Sequence, residues 1–391
     1  MLFSTYPPTE GKGIVYVLLL ALIFLFACKK SDDPASLSDS ETIASIMETT
    51  RQQMKAPGWM VDIRRPGTTI SLAGGMAIEE SGIPMDTEDM VRIGSITKTF
   101  TATLVLILCD EGILKLNDRL SDYYPEFPQA NEITIKQLLN HTSGIVTWDE
   151  NDDIRNEIYN GTGNWTIDKL IEWGAQQDLM SDPGKAFHYS NIGYFLLGKI
   201  CESATGEDVE DLMVNKIFYP AGLFRTFMPL EAHPALETIH DYDESSGTVI
   251  DMTGTPQADA INFELAWTAG GIMSTLEDLR SWSRILCKGS LLSDSLHQLQ
   301  MPVLNPPTSQ LPYWSGYGMG ISQTDAWMGH TGAICGFICN MQYNPDDDVS
   351  IVTFFNKFSA FDITANAADM SAAGQNFVTL ARFVCPETLS D

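Results

Sequence analysis

Positive charge is scarce in this chain: 23 Lys and Arg stand against 51 Asp and Glu, a net charge of -28 over 391 residues. Such a surface repels phosphate backbones and anionic headgroups, which argues against nucleic acid and against adhesion to anionic lipid. Solubility is the plain reading of the charge. Metal-ligand spacing is missing as well. The six histidines and seven cysteines form no His-Glu-x-x-His and no Cys-x-x-Cys, so no metal is expected, and no cofactor. Nor do the cysteines show a small-domain disulfide spacing. Cys335 and Cys339, if both lie in one strand, stand about 13 Å apart, too far to bridge. With Cys109, Cys201, Cys287 and Cys385 they read as buried free thiols. There is no internal repeat and no long low-complexity tract. Proline and glycine are at ordinary levels, so the chain is globular, long enough for one large domain or a domain with a sizeable insertion.

The N-terminus reads as a targeting segment. Lys12 precedes an apolar run, Ile14 to Ala27, which is shorter than the roughly 20 residues that span a bilayer and suited to a signal-peptide core. Leu25-Phe26-Ala27-Cys28 resembles a bacterial lipobox, although Phe26 is bulky for its place and Glu10 dilutes the positive flank. The expectation is a signal peptide over 1–27, lipidation at Cys28, and a polar tether over 28–38. The protein would then sit at the bacterial cell envelope, lipid-anchored, periplasmic or surface-facing. An uncleaved anchor would leave it in the same place.

The body occupies 39–385. Ile43, Ile46, Met47 and Met54 mark a helical stripe, and Trp59–Ile63 and Thr68–Gly74 read as strands across the turn Arg65-Pro66-Gly67. From Ile96 to Ile113 the chain is apolar almost all round, a helix buried on every side. Helix and loop follow for some 200 residues, with an acidic loop (Asp149, Glu150, Asp152, Asp153) and a polar stretch over 229–262 that reads as a surface excursion. Strands return at Tyr317–Ser322, Ile334–Tyr343 and Val349–Asn356, and a helix closes the chain. Strands at both ends with helices between them predict an α+β fold. Its antiparallel sheet is built from both termini and flanked by helices, with a mainly helical insertion over about 110–310.

Ser95 and Lys98 stand three apart at the start of the apolar helix and so share a face. A serine hydroxyl is a weak nucleophile until a base takes its proton, and a desolvated lysine can be neutral near pH 7. The helix-start N–H groups favour negative charge nearby. The competing reading of Ser95 is an N-cap. What favours catalysis is the company kept. Ser95-x-x-Lys98, Tyr189-Ser190-Asn191 and His330-Thr331-Gly332 each represent the only occurrence of their pattern, in this order.

With these motifs, and with Leu139–Gly144 and Ala269-Gly270-Gly271 beside them, the chain resembles the serine β-lactamase and penicillin-binding superfamily from about residue 40 onward. The likeness is greatest to class C β-lactamases, serine D-alanyl-D-alanine carboxypeptidases and related esterases. The resemblance implies that Ser95 is acylated and that Lys98 is its proton partner. It implies that Tyr189 is a general base, poised as phenolate or relay by the neighbouring cation. Asn191 would hold Lys98 and a substrate amide, while His330, Thr331 and Gly332 line the substrate's carboxylate or carbonyl end. The N–H groups of Ser95 and Ala333 would form the oxyanion hole. His330 stands where many β-lactamases carry lysine. Histidine is only fractionally charged near neutrality, which points to the peptidase and esterase branches. His141 reads as structural.

The expected function is a serine hydrolase that works through an acyl-enzyme on a D-amino-acid peptide, ester or β-lactam, most like a D-alanyl-D-alanine carboxypeptidase or esterase. The rival reading is a catalytically weak penicillin-binding-like ectodomain serving as sensor or scaffold. The expected partners are a small-molecule or peptide substrate and, through the lipid, a membrane. Oligomeric state is left open.

Overall fold

The computed structural model describes residues 34–160, 162–229, 238–245, 247–302, 314–360 and 363–389. The expected signal peptide, Cys28 and the first part of the tether lie outside the described residues. Among the described residues no helix is long and apolar enough to cross a membrane.

Helix α1 (Pro34–Met54) leads into strands β1 (Gly58–Arg65), β2 (Thr68–Ile78) and β3 (Ile83–Pro84). Strands β4 (Gly316–Tyr317), β5 (Ser322–Thr324), β6 (Trp327–Ile334), β7 (Phe337–Asn344) and β8 (Val349–Phe355) come some 230 residues later. All eight form one antiparallel sheet in the order β3-β2-β1-β8-β7-β6-β5-β4. The two ends of the chain meet at its centre, where β1 pairs β8 with Trp59 opposite Phe355 and Arg64 opposite Ser350. The mixed helix-and-sheet architecture is α+β.

Side-chain alternation sorts the sheet's two faces. Trp59, Val61, Ile63, Ile338 and Phe355 pack with Ile43, Phe377 and Leu380, the last two from the closing helix. Met60, Cys339, Met341, Tyr343 and Phe354 enter the larger core with Phe100 and Trp282. Helix α2 (Thr97–Asp110) runs through that core, and every residue from Thr97 to Leu108 is buried. Burial of each large apolar side chain there contributes about 1.5–3 kcal/mol. Helix α3 (Asn191–Thr205) packs beside α2, and α4 (Leu276–Lys288) packs on the sheet itself although it falls within the span 110–310. Helix α5 (Ile363–Val384) covers the first face together with α1.

Three local expectations fail. The strand expected over Ile334–Tyr343 starts three residues later, at Phe337, because Gly336 (φ +73°) turns the chain between β6, which ends at Ile334, and β7. Tyr317–Ser322 likewise breaks into β4 and β5 around Gly320 (φ +73°). The stretch expected as a surface excursion holds a hairpin, Tyr242–Ser245 with Thr248–Asp251, in which Asp241, Tyr242 and Asp243 are buried. Backbone hydrogen bonds from Tyr242 to Asn356 and from Phe358 to Tyr242 tie it to the end of the sheet. Polar composition concealed this because those polar groups find partners indoors. Cys335 falls in the β6–β7 turn, and the thiols at 109, 201, 287, 335, 339 and 385 are all free.

Candidate active site

Ser95 lies in a 3₁₀ turn, Gly94–Ile96, immediately before α2, and Lys98 is one turn further on. The turn docks against β6. A β-carbon on Gly332 would sit 1.8 Å from the Ile93 carbonyl oxygen and 3.2 Å from the Ser95 nitrogen. One on Gly94 (φ +50°) would sit 2.7 Å from the Ala333 nitrogen. These two glycines therefore let the Ser95 and Ala333 backbones approach, the placement that a pair of convergent N–H donors needs.

Lys98 is fully buried, and its Nζ donates to Asn191 Oδ1 (2.7 Å), the Ala269 carbonyl (2.7 Å) and Ser95 Oγ (3.1 Å). Every one of these acceptors is neutral. Burial accordingly pushes the amine down to about 7, against an opposing pull from the Asp149 carboxylate. The Ala269 carbonyl is steadied by its neighbours: Thr101 Oγ1 donates to the Thr268 carbonyl and the Ile272 N–H donates to Thr97 Oγ1.

Tyr189 and Asn191 flank the N-cap of α3, where Ser190 Oγ accepts from the Gly193 N–H. His141 holds this turn. Its φ of +57° is rare for a residue with a side chain and costs about 1–3 kcal/mol. The cost is offset locally: the His188 N–H donates to the His141 carbonyl (2.8 Å), and the Ser190 N–H donates to Nδ1 (3.1 Å). The ring lies 4.2 Å from that of Tyr189, centre to centre, and burial keeps it neutral. His141 thus positions the turn from behind.

Two expected electrostatic states need correction. Tyr189 is not poised as a phenolate. Burial pushes its hydroxyl well above 10, and interaction with the Ser95 hydroxyl pulls back only in part. Lys98 Nζ stands 4.8 Å from the centre of the phenol ring, and the amine itself is the group brought toward neutrality. His330 is not fractionally charged either. Burial lowers it to about 3, and the ring is pinned between the Thr331 carbonyl at Nδ1 and the Tyr317 hydroxyl at Nε2 (3.1 Å). A carbonyl only accepts, so Nδ1 carries the proton and Nε2 accepts from Tyr317. His330 therefore offers a substrate carboxylate no charge.

A cleft of about 480 Å³ brings together Ser95, Tyr189, Asn191, His330, Thr331 and Ala333. Gly332 supports it from beneath, and Lys98 is reached through Ser95. Sequence reasoning missed Asp149 and Trp314, which also line it. The sequence marks Asp149 only as part of an acidic loop. Its Oδ1 instead accepts from Asn191 Nδ2 (3.2 Å) and from Thr147 Oγ1. Nothing in the spacing of Trp148-Asp149-Glu150 announces that contact, which exists only once α3 packs beside the loop. Glu80, from the turn between β2 and β3, meets His240 and Asp251 at the Tyr242 hairpin, a group of three potential metal ligands, but His240 Nδ1 already bonds Asp251 Oδ2 at 2.6 Å.

Comparison with known proteins bears on the family and the fold. The family model described as Beta-lactamase matches residues 43–374. The chain belongs to that family. Penicillin-binding protein 4 of Amycolatopsis lactamdurans is 30% identical over 191 residues, 47% of this chain and 48% of that protein. The putative penicillin-binding protein PbpX of Bacillus subtilis is 25% identical over 321 residues, 79% of this chain and 75% of that protein. The match thus spans about half the length of the first relative. Among solved structures, D-amino acid amidase from Ochrobactrum anthropi SV3 superposes with a TM-score of 0.75 at 22% identity, covering 89% of this chain and 99% of that one. A D-stereospecific amidohydrolase from Streptomyces superposes at 0.71 with 26% identity, covering 84% and 97%. The protein is a serine hydrolase of the β-lactamase and penicillin-binding superfamily.

Proposed function

We propose that the protein cleaves amides or esters of D-amino acids through an acyl-enzyme on Ser95. The observation that carries this reading is the 3.1 Å contact between Ser95 Oγ and an amine that burial has brought to about 7. Near neutrality a substantial share of Lys98 is unprotonated and can accept the hydroxyl proton as Oγ bonds the substrate carbonyl carbon. The oxyanion that forms meets the N–H groups of Ser95 and Ala333. As the bond to the leaving group breaks, the proton passes from Lys98 through the Tyr189 phenol to the departing nitrogen or oxygen. Tyr189 serves as a relay that stays protonated on average, in keeping with its raised hydroxyl. Asn191 holds Lys98, and Thr331 and Gly332 present the β6 edge to the substrate.

The choice of substrate rests on charge. No cation stands on β6, since His330 is neutral, and Arg155, which lines the cleft, is engaged by Asp152 and the Asp149 carbonyl. A free carboxylate beside the scissile bond, as in D-alanyl-D-alanine, finds little to pair with. The amidase names among the structural neighbours support the same preference. Attachment to the cell envelope through Cys28 is part of the proposal and rests on the sequence alone; the mass of the mature N-terminus tests it.

Mass spectrometry after incubation with a D-phenylalanine amide, a D-Ala-D-Ala peptide, penicillin and a p-nitrophenyl ester tests the chemistry. Expected are an adduct on Ser95, burst kinetics with the ester, and turnover of the D-amide ahead of the D-Ala-D-Ala peptide. Ser95→Ala is expected to lose about 10³-fold or more in turnover. Retention of most activity would remove Ser95 from the mechanism, and a stable adduct without turnover would assign the sensor reading.

A further inference from the structure

We propose that Asp149 is a positioning residue for Lys98, locking the Asn191 amide oxygen toward the amine and countering the charge of the ammonium it forms. The inference rests on Lys98 being the base.

An asparagine amide can be turned either way in its site, and the two orientations present opposite groups to a neighbour. Here Asn191 Nδ2 donates to Asp149 Oδ1 (3.2 Å), and this leaves Oδ1 of the amide to accept from Lys98 Nζ (2.7 Å). Reversed, the NH₂ group would face the amine: the ammonium, which only donates, would lose this hydrogen bond, and the neutral amine could keep one only by turning on it the lone pair that Ser95 needs. The carboxylate, which only accepts, selects the productive orientation. Asp149 is itself fixed: Oδ1 also accepts from Thr147 Oγ1, and that hydroxyl accepts in turn from the Asn191 N–H (3.2 Å). Asp149, Thr147 and Asn191 therefore form a closed ring of hydrogen bonds whose outward-facing atom is the oxygen on Lys98.

The charge of Asp149 adds to this. The titratable groups facing Lys98 from the elements around it are Tyr189 and Tyr194, with ring centres 4.8 and 5.4 Å from Nζ, together with His141, His330 and Asp149. Burial raises both tyrosines and lowers both histidines, so all four are neutral near pH 7. Asp149 is the member of this set that supplies negative charge, and it favours the ammonium form. Glu150, the next carboxylate along, is turned to His188, its Oε2 3.6 Å from Nε2.

Two substitutions separate position from charge. Asp149→Asn keeps an oxygen acceptor for Asn191 and Thr147 and removes only the charge; Asp149→Ala removes both. The readout is the pH dependence of kcat/KM for the p-nitrophenyl ester, with thermal melts to certify folding. In the native protein kcat/KM is expected to rise with pH through about 7 as Lys98 loses its proton. Without the carboxylate the ammonium is less stable, so in Asp149→Asn this limb moves to lower pH by about one unit. Asp149→Ala is expected to acylate about 10²-fold more slowly than Asp149→Asn at the pH optimum, because the amide is free to turn. An Asp149→Asn limb that coincides with the native one overturns the proposal, as does an Asp149→Ala rate equal to that of Asp149→Asn. A limb near 7 that survives in the residual activity of Lys98→Met would instead show that the base is misassigned.

Discussion

Among the described residues two lysines are buried, and they are treated in opposite ways. Lys357, just beyond β8, is 1% exposed, and its Nζ lies 2.9 Å from both oxygens of Asp369 and 3.1 Å from Glu244 Oε2. Lys98 is 0% exposed, and each oxygen within its reach belongs to an amide, a carbonyl or a hydroxyl. The first is half of an ion pair that ties α5 and the Tyr242 hairpin to the sheet. The second is the amine that burial brings down to about 7, the group proposed as the base. Burial alone does not make a lysine reactive. What does is burial among neutral acceptors, which solvate the ammonium too weakly to hold its proton.

Exchanging either lysine for an isosteric apolar side chain tests the contrast most strongly. Lys98→Met is expected to slow acylation by about 10²–10⁴-fold at neutral pH, measured as the burst rate with a chromogenic ester; an unchanged rate would remove Lys98 from the mechanism. Lys357→Met leaves the chemistry untouched but strands the Asp369 carboxylate, itself 3% exposed. A loss of about 3–5 kcal/mol in unfolding free energy is expected from denaturant titration.

The smallest effect is the most discriminating. Lys98→Met should melt at a higher temperature than the native protein at pH 6. The native amine sits at about 7 when folded, below the ordinary 10.5, so the unfolded chain binds more protons as pH falls from 10.5 to 7. The native protein loses stability across that window, and the loss stays constant below it. The variant's advantage is thus absent above pH 10.5, grows down to pH 7 and is then level, on the order of a few kcal/mol less the hydrogen bonds forfeited at Asn191 and Ala269. Parallel melts at pH 6 and pH 10 measure it, and equal differences at the two would mean that the buried amine carries no such penalty.

Much of the fold is legible in the pattern of side chains. The all-round apolar run from Ile96 marks a buried helix, and the alternation Phe337, Cys339, Met341, Tyr343 marks a sheet face. Boundaries were less legible where one glycine reverses the chain, as at Gly336, since an apolar hairpin and a single long strand share the same run of residues. The Tyr242 hairpin was obscured for a different reason. Tyr242 and Asp243 meet partners more than 100 residues away, at Glu80 and the Ala360 N–H, and composition registers polarity without showing whether it is satisfied. Asp149 escaped notice in the same way.

By itself the sequence determined which reactive groups the protein owns and how those within one turn of chain relate, as Ser95 and Lys98 do, because helical spacing is a local rule. It could not determine their protonation. That the Lys98 amine is brought down to about 7, Tyr189 kept a phenol and His330 left uncharged was decided by tertiary packing. Desolvation and the charge of a partner depend on every element that closes around a group, and those elements come from opposite ends of the chain.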